Sequence, residues 1–121
     1  MANDITLEMR LIVSKGSTRK GLSHRALVTQ TGSKIVHHRQ TIGTVEEPLD
    51  LGELAAAFNH ILIINRDPTN VVDLRPTAAA ISFMRIFPGQ AALFRFGNFG
   101  TAPTAQAGVA PVDIEYLLVE A

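Results

Sequence analysis

The sequence contains no cysteine and no tryptophan. Without thiols there is no disulfide framework, no cysteine-ligated zinc, no iron–sulfur cluster and no cysteine nucleophile. Charge is scarce as well: 18% of residues are charged, against roughly 25% in an average soluble domain. Eleven basic residues balance eleven acidic ones, so the formal net charge is zero. A protein held to nucleic acid by bulk electrostatics carries a basic excess, and this chain has none. No apolar run approaches the roughly 18 residues of a membrane-spanning helix. The opening Met1-Ala-Asn-Asp lacks the basic and apolar regions that begin a signal peptide.

What is present is 121 residues, 46% of them hydrophobic. That is enough for a single domain, residues 1–121, with a core of its own. Neutral balance and few charges burden the solubility of a free monomer, a first sign of a subunit made to be assembled.

Hydrophobic patterning is of strand type almost throughout. Ile5, Leu7, Met9, Leu11 and Val13 alternate with mostly polar neighbours, which predicts a half-buried strand ending at Lys15-Gly16-Ser17-Thr18. Residues 1–20 read as an N-terminal strand or arm. Two β-rich runs, Leu22 to Gln30 and Lys34 to Ile42, flank Thr31-Gly32-Ser33 and predict a hairpin. Glu46 to Phe58 reads as a loop with one helical turn: 53–58 are helix formers, but Pro48 and Gly52 interrupt the stretch and it is short. His60 to Asn65 is a compact apolar run, expected to be a strand buried on both faces. Asp67-Pro68-Thr69-Asn70 is a turn, and Val71 to Leu74 is expected to return beside the preceding strand as a second hairpin. Ile81 to Phe87 and Gln90 to Phe96 read as strands stopped by Pro88-Gly89 and Gly97-Asn98. Gly100 to Pro111 reads as a neutral connection, and Val112 to Glu120 as the last strand. About eight short antiparallel strands with almost no helix predict an all-β protein, a jelly-roll-like β-sandwich.

One segment departs from the average. From Leu74 to Val112 there is no acidic residue, and Phe83, Phe87, Phe94, Phe96 and Phe99 fall inside it. Some of these phenylalanines are expected in the core. The rest would make a flat, uncharged surface, since charge depletion with aromatic and Arg enrichment marks the centre of an interface.

Catalytic patterns are missing. His37 and His38 point to opposite faces of a strand and cannot share a metal; His24 and His37 are expected to be neighbours across the first hairpin, without a carboxylate cluster beside them. The five serines lie outside any Gly-x-Ser-x-Gly elbow. Asp113 and Glu115 share one strand face and read as solvated charges, with Arg85 or Arg95 as cross-strand partners. Gly16 and Gly21 bracket Ser17-Thr18-Arg19-Lys20 without the Lys-Ser/Thr of a phosphate loop. Lys15, Arg19 and Lys20 form instead a basic loop or arm. No catalytic residue, metal or cofactor is expected.

Three motifs carry a family resemblance. They are Asn65-Arg66-Asp67-Pro68-Thr69-Asn70, Phe87-Pro88-Gly89-Gln90-Ala91-Ala92-Leu93-Phe94-Arg95, and Asp113-Ile114-Glu115-Tyr116-Leu117-Leu118-Val119-Glu120. In their order and spacing, over about residues 50–121, they resemble a group of small tailed-bacteriophage virion proteins. The resemblance implies a β-sandwich with a structural, non-catalytic role in the virion. Capsid decoration (cement) is the leading expectation, with the major capsid protein as partner, a capsid-exterior location and a homo-oligomer such as a trimer. A tail, head–tail or fibre-associated module is the alternative. Neither nucleic acid nor membrane is an expected partner. The residues expected at the interface are Lys15, Arg19 and Lys20 of the arm, and Phe99, Thr101 and Pro103 of the neutral loop.

Overall fold

The computed structural model describes residues 4–30, 32–54, 58–76, 81–95 and 102–120. Ten strands lie among them: β1 (Ile5–Lys15), β2 (Thr18–Val28), β3 (Ile35–Ile42), β4 (Glu47–Pro48), β5 (Phe58–Asn65), β6 (Val72–Arg75), β7 (Met84–Ile86), β8 (Ala91–Arg95), β9 (Thr104–Ala107) and β10 (Val112–Glu120). The expected helical turn is a single 3-10 turn, Gly52–Leu54. The chain divides into two units, Met1–Thr31 and Gly32–Ala121.

The second unit is a jelly roll. Its eight strands pair as one long ribbon doubled back on itself: β6 with β7, β5 with β8, β4 with β9 and β3 with β10, all antiparallel. Two further pairings, β10 with β5 and β6 with β9, join the rolled ribbon into sheets of order β3-β10-β5-β8 and β4-β9-β6-β7. Two nested Greek keys of this kind define the fold. The all-β sandwich expected from the sequence is therefore the observed architecture.

The core lies between these sheets. β10 contributes Val112, Ile114, Tyr116 and Leu118 from its inward row, β5 contributes Ile61 and Ile63, and β6 contributes Val72 and Leu74. Phe94 packs at its margin, while Phe83 and Phe87 are about half exposed. The core of the described residues is thus aliphatic, with Tyr116 as its one aromatic. Phe96 and Phe99 lie outside the described residues.

Strand pairing departs from the sequence reading in two places. β5 and β6 do not form a hairpin, because the Asp67 turn carries the chain from one sheet to the other. A turn motif dictates a reversal but not which sheet receives the next strand. The expected neutral connection at 100–111 also contains β9, whose Ala105 and Ala107 are buried. Small residues of low β propensity gave no strand signal, yet they suit a crowded inner face.

The three motifs of the family resemblance meet at Asn65. Its main-chain N–H donates to the Gln90 carbonyl, and its own carbonyl accepts from Gly89, both near 3 Å. Its buried side chain donates from Nδ2 to the Asn70 and Ile86 carbonyls and accepts the Asp67 N–H at Oδ1. Next to it, Arg66 donates its N–H to the Asp113 carbonyl. Asp67 closes the turn by accepting from the Thr69 and Asn70 amides, which holds its carboxyl below the usual range. Gly89 supplies the left-handed φ of 74° that the neighbouring turn requires.

The first unit is a two-stranded ribbon. β1 and β2 pair without interruption from Ile5↔Val28 to Lys15↔Thr18. The two-residue turn is Gly16-Ser17, with Gly16 at φ 59°, the conformation such tight hairpins demand. The hairpin expected around Thr31-Gly32-Ser33 is therefore not formed: β2 pairs with β1, and β3 with β10. Gly-Ser between two strands was a hairpin signal in its own right. The arm extends past Lys20 because β2 is its second leg. β1 is also not half-buried as expected, since Met9, Leu11 and Val13 are all exposed.

Replacing Asn65 by Leu would leave the Asp67 amide and the Asn70 and Ile86 carbonyls without partners. A buried orphan costs about 1–3 kcal/mol, and of the three bonds the one to the Ile86 carbonyl is fully buried while the other two are partly so. Asn65→Leu is expected to lower unfolding free energy by at least about 2 kcal/mol, read from denaturant melts. An unchanged midpoint would show that the amide is dispensable.

Candidate functional site

The two outer faces of the jelly roll differ in chemistry. On the β4-β9-β6-β7 sheet the outward row is polar and internally paired. Arg85 meets Asp73 at 2.7 Å, Arg75 meets Glu46 at 3.3 Å and Gln106 at 2.7 Å, and Thr104 donates to Glu46. This is how a sandwich face exposed to water is ordinarily finished.

The β3-β10-β5-β8 sheet is finished differently. Its register aligns His37, Leu117, Leu62 and Leu93 across all four strands, and then Arg39, Glu115, Ile64 and Ala91. Directly paired residues share a face, and Ile61, Ile63 and Tyr116 occupy the inner one. Leu62, Leu93, Leu117 and Ile64 therefore form an outward apolar patch. Leu117 is 38% exposed, and the other three are half-buried. β5 was expected to be buried on both faces; its inner face is buried and its outer one only partly covered. A shallow groove of about 230 Å³ runs over Leu62, Ile64 and Leu117 beside His37 and Glu115.

Ionic pairs border this patch. Glu115 accepts from His37 Nε2 at 2.6 Å and from Arg66 at 2.8 Å. An ionised carboxylate only accepts, so Nε2 carries the proton. These two bonds, His37 first, hold the Glu115 carboxyl below its ordinary value. A carboxylate clamped in this way ties β3, β10 and the β5–β6 turn together and makes a weak base. Asp113 similarly receives Arg39 at 3.2 Å and Thr41 at 2.8 Å. The cross-strand partners of Asp113 and Glu115 are thus Arg39, His37 and Arg66. Arg85 is committed to Asp73 in the other sheet, and Arg95 stands opposite His60.

The histidines are dispersed. His24 pairs across the strands with Met9 on the arm, and His37 with Leu117 on β10, so the expected cross-strand pairing of the two is not formed. His38 faces Asp50 at 3.3 Å and stacks obliquely on Tyr116. His60 is 3% exposed, and burial together with Arg95 lowers its pKa. Among the described residues, no three His, Asp or Glu side chains converge as a metal site would require.

The arm is amphipathic. One face collects Ile5, Leu7, Met9, Leu11 and Val13 of β1 with Val28, Ala26 and Leu22 of β2, interrupted by His24 and ending at Lys20. The opposite face is mainly polar, with Glu8, Arg10, Arg19 and Arg25 beside two apolar exceptions, Ile12 and Leu27. Leu11 and Leu22, paired directly, are 69% and 78% exposed. Lys15, Arg19 and Lys20, expected at an interface, all lie exposed at the arm's tip. Pro103, expected with them, is instead buried, and its carbonyl accepts the Leu49 N–H; its ring belongs to the body's interior. Phe99 and Thr101 lie outside the described residues. The outward patch around Leu62 and Leu117 was missed, although the unbroken apolar run Ile61-Leu-Ile-Ile64 carried its signal.

No family model, no curated protein and no solved structure matches this chain.

Two pH responses follow. His60 takes a proton more readily unfolded, near its ordinary 6.5, than folded, so its contribution is complete above that pH and is lost as pH falls below it. Thermal melts between pH 7.5 and 5 should show His60→Gln with a weaker pH dependence than the parent. Glu115 contributes above its ordinary 4.5 and loses that contribution as pH falls through its lowered value. Between pH 5 and 2.5, Glu115→Gln should lose less stability than the parent; equal slopes would refute the clamp.

Proposed function

We propose that this chain is a non-catalytic structural subunit of a tailed-phage virion, a capsid decoration (cement) protein. It binds the major capsid protein lattice from outside and ties neighbouring subunits together. One observation carries this reading: among the described residues, the exposed large apolar side chains Met9, Leu11, Ile12, Val13, Leu22 and Leu27 gather on one basic-tipped arm, and Leu117 joins the half-buried Leu62, Ile64 and Leu93 on one sheet face. Large contiguous apolar patches mark surfaces made to be covered. The zero net charge and low charge content support the same conclusion. The setting in a virion is supported by the resemblance of the three motifs, whose side chains serve here to lock turns to strands.

Such a subunit works by repetition. Each contact with the shell can be weak, because many copies of one oligomer bind many copies of one lattice, and linked contacts multiply. A rigid jelly roll suits this task, since a body that does not reorganise on binding loses little entropy. The ionic pairs along β3 and β10 and the knot at Asn65 supply that rigidity.

The test uses purified chain and expanded, emptied capsid shells of the phage that encodes it. Saturable co-sedimentation is expected, with hundreds of copies per particle and a rise in the shell's melting temperature. Six or twelve copies per virion would move the protein to a tail or head–tail position. Absence from purified virions would overturn the reading altogether.

A further inference from the structure

The arm and the body are complementary in two independent respects, the first at the outer face of the β3-β10-β5-β8 sheet and the second over the body as a whole. The first is shape and polarity. The arm's apolar row from Ile5 to Val13 spans roughly 27 Å at the rise of an extended strand. It is two strands wide, and Leu11 and Leu22 at its outer half are its most exposed members. The β3-β10-β5-β8 sheet offers Leu62, Ile64, Leu93 and Leu117 on an outer surface roughly 14 Å across, four strands at the usual spacing. Two apolar sheet surfaces of this kind pack face to face about 10 Å apart, as the layers of a sandwich do.

The second respect is charge. Residues 1–31 carry five basic side chains (Arg10, Lys15, Arg19, Lys20, Arg25) and two acidic ones (Asp4, Glu8), a net of +3. Residues 32–121 carry six basic and nine acidic side chains, a net of −3. The chain's neutrality therefore conceals two oppositely charged parts. An arm would be repelled by another arm and a body by another body, while arm and body attract. Each copy supplies one of each, so two or more copies satisfy every surface without a different protein.

We infer that the arm of one copy docks by its apolar row on the outer face of the β3-β10-β5-β8 sheet of a second copy, and that this exchange builds the homo-oligomer. Leu11 and Leu22 lie over Leu62 and Leu117, and the basic tip, Lys15 and Lys20, extends over the acidic body. Reciprocal exchange closes a dimer, and head-to-tail exchange closes a ring. The contact concerns copies of this chain alone, whatever larger assembly they serve.

Multi-angle light scattering of the full-length chain tests the inference. The parent is expected to be oligomeric at micromolar concentration. Leu11→Asp with Leu22→Asp should be monomeric, and so should Leu62→Lys with Leu117→Lys. The arm pair is well exposed, so its loss leaves the body's melting transition in place; circular dichroism checks this for both variants. Should the Leu62 change disturb folding, Leu117→Lys alone serves in its stead. Mixing the two variants is decisive. The first keeps an intact face and the second an intact arm, so an equimolar mixture should recover a complex that neither forms alone. A monomeric parent, an arm variant that stays assembled, or a mixture that stays monomeric overturns the inference.

Discussion

The body of this protein depends on the placement of β10. It is flanked by β3 and β5, and its inward row of Val112, Ile114, Tyr116 and Leu118 forms the middle of the core. The first sheet therefore cannot form until the C-terminal strand has inserted between strands that precede it by some fifty residues or more. Its pairings are almost all distant in sequence, which makes the ordering of the chain costly before any apolar surface is buried. Once β10 is in place, that row and the inner rows of β5 and β6 remove one another from water together.

Polar groups then specify which turn goes where. Asn65 is buried at the end of β5, and its side chain is bonded both to the turn at 67–70 and to Ile86 of β7. Tyr116 is buried at mid-strand, with its hydroxyl 2.8 Å from both Gln40 Oε1 and the Asp50 carbonyl, which anchors the loop after β4. Burial raises its pKa further, so it stays a neutral donor. Hydrogen bonds of this sort add little net stability when made and cost much when broken. They select one arrangement of the ribbon over its near alternatives. The same groups are what the recognisable motifs consist of, so those motifs describe the scaffold and not a reaction.

Much of this was legible in residue order. Alternation in Ile5–Val13 and in Val112–Glu120 marked β1 and β10, and the Asp67 and Pro88-Gly89 turns fell where expected. Other features were hidden for physical reasons. β9 is built from Thr, Ala, Gln and Ala, which have no strand signature until the inner face they line is known. The Gly16-Ser17 turn was read as a stop when it is a reversal, because a turn signal states that the chain bends and not with what the next strand pairs. Pro103 looked like part of an open loop, but its neighbour β9 draws it inside. The candidate surfaces were half legible: the basic tip of the arm was visible in sequence, while the apolar run Ile61 to Ile64 did not by itself tell a partly open outer face from a strand buried on both sides.

Zero net charge illustrates the division best. Composition alone established that the chain is neutral, cysteine-free and rich enough in apolar residues to fold on itself, and alternation established that it would do so as β-structure. Those properties are local or additive, so residue order suffices to read them. Tertiary structure decided that the neutrality is a sum of a basic arm and an acidic body, and that the apolar excess is divided between a closed core and exposed side chains, many of them on the arm. Strand register determines which side of a sheet each residue takes, and register is set by pairings between residues far apart in the chain.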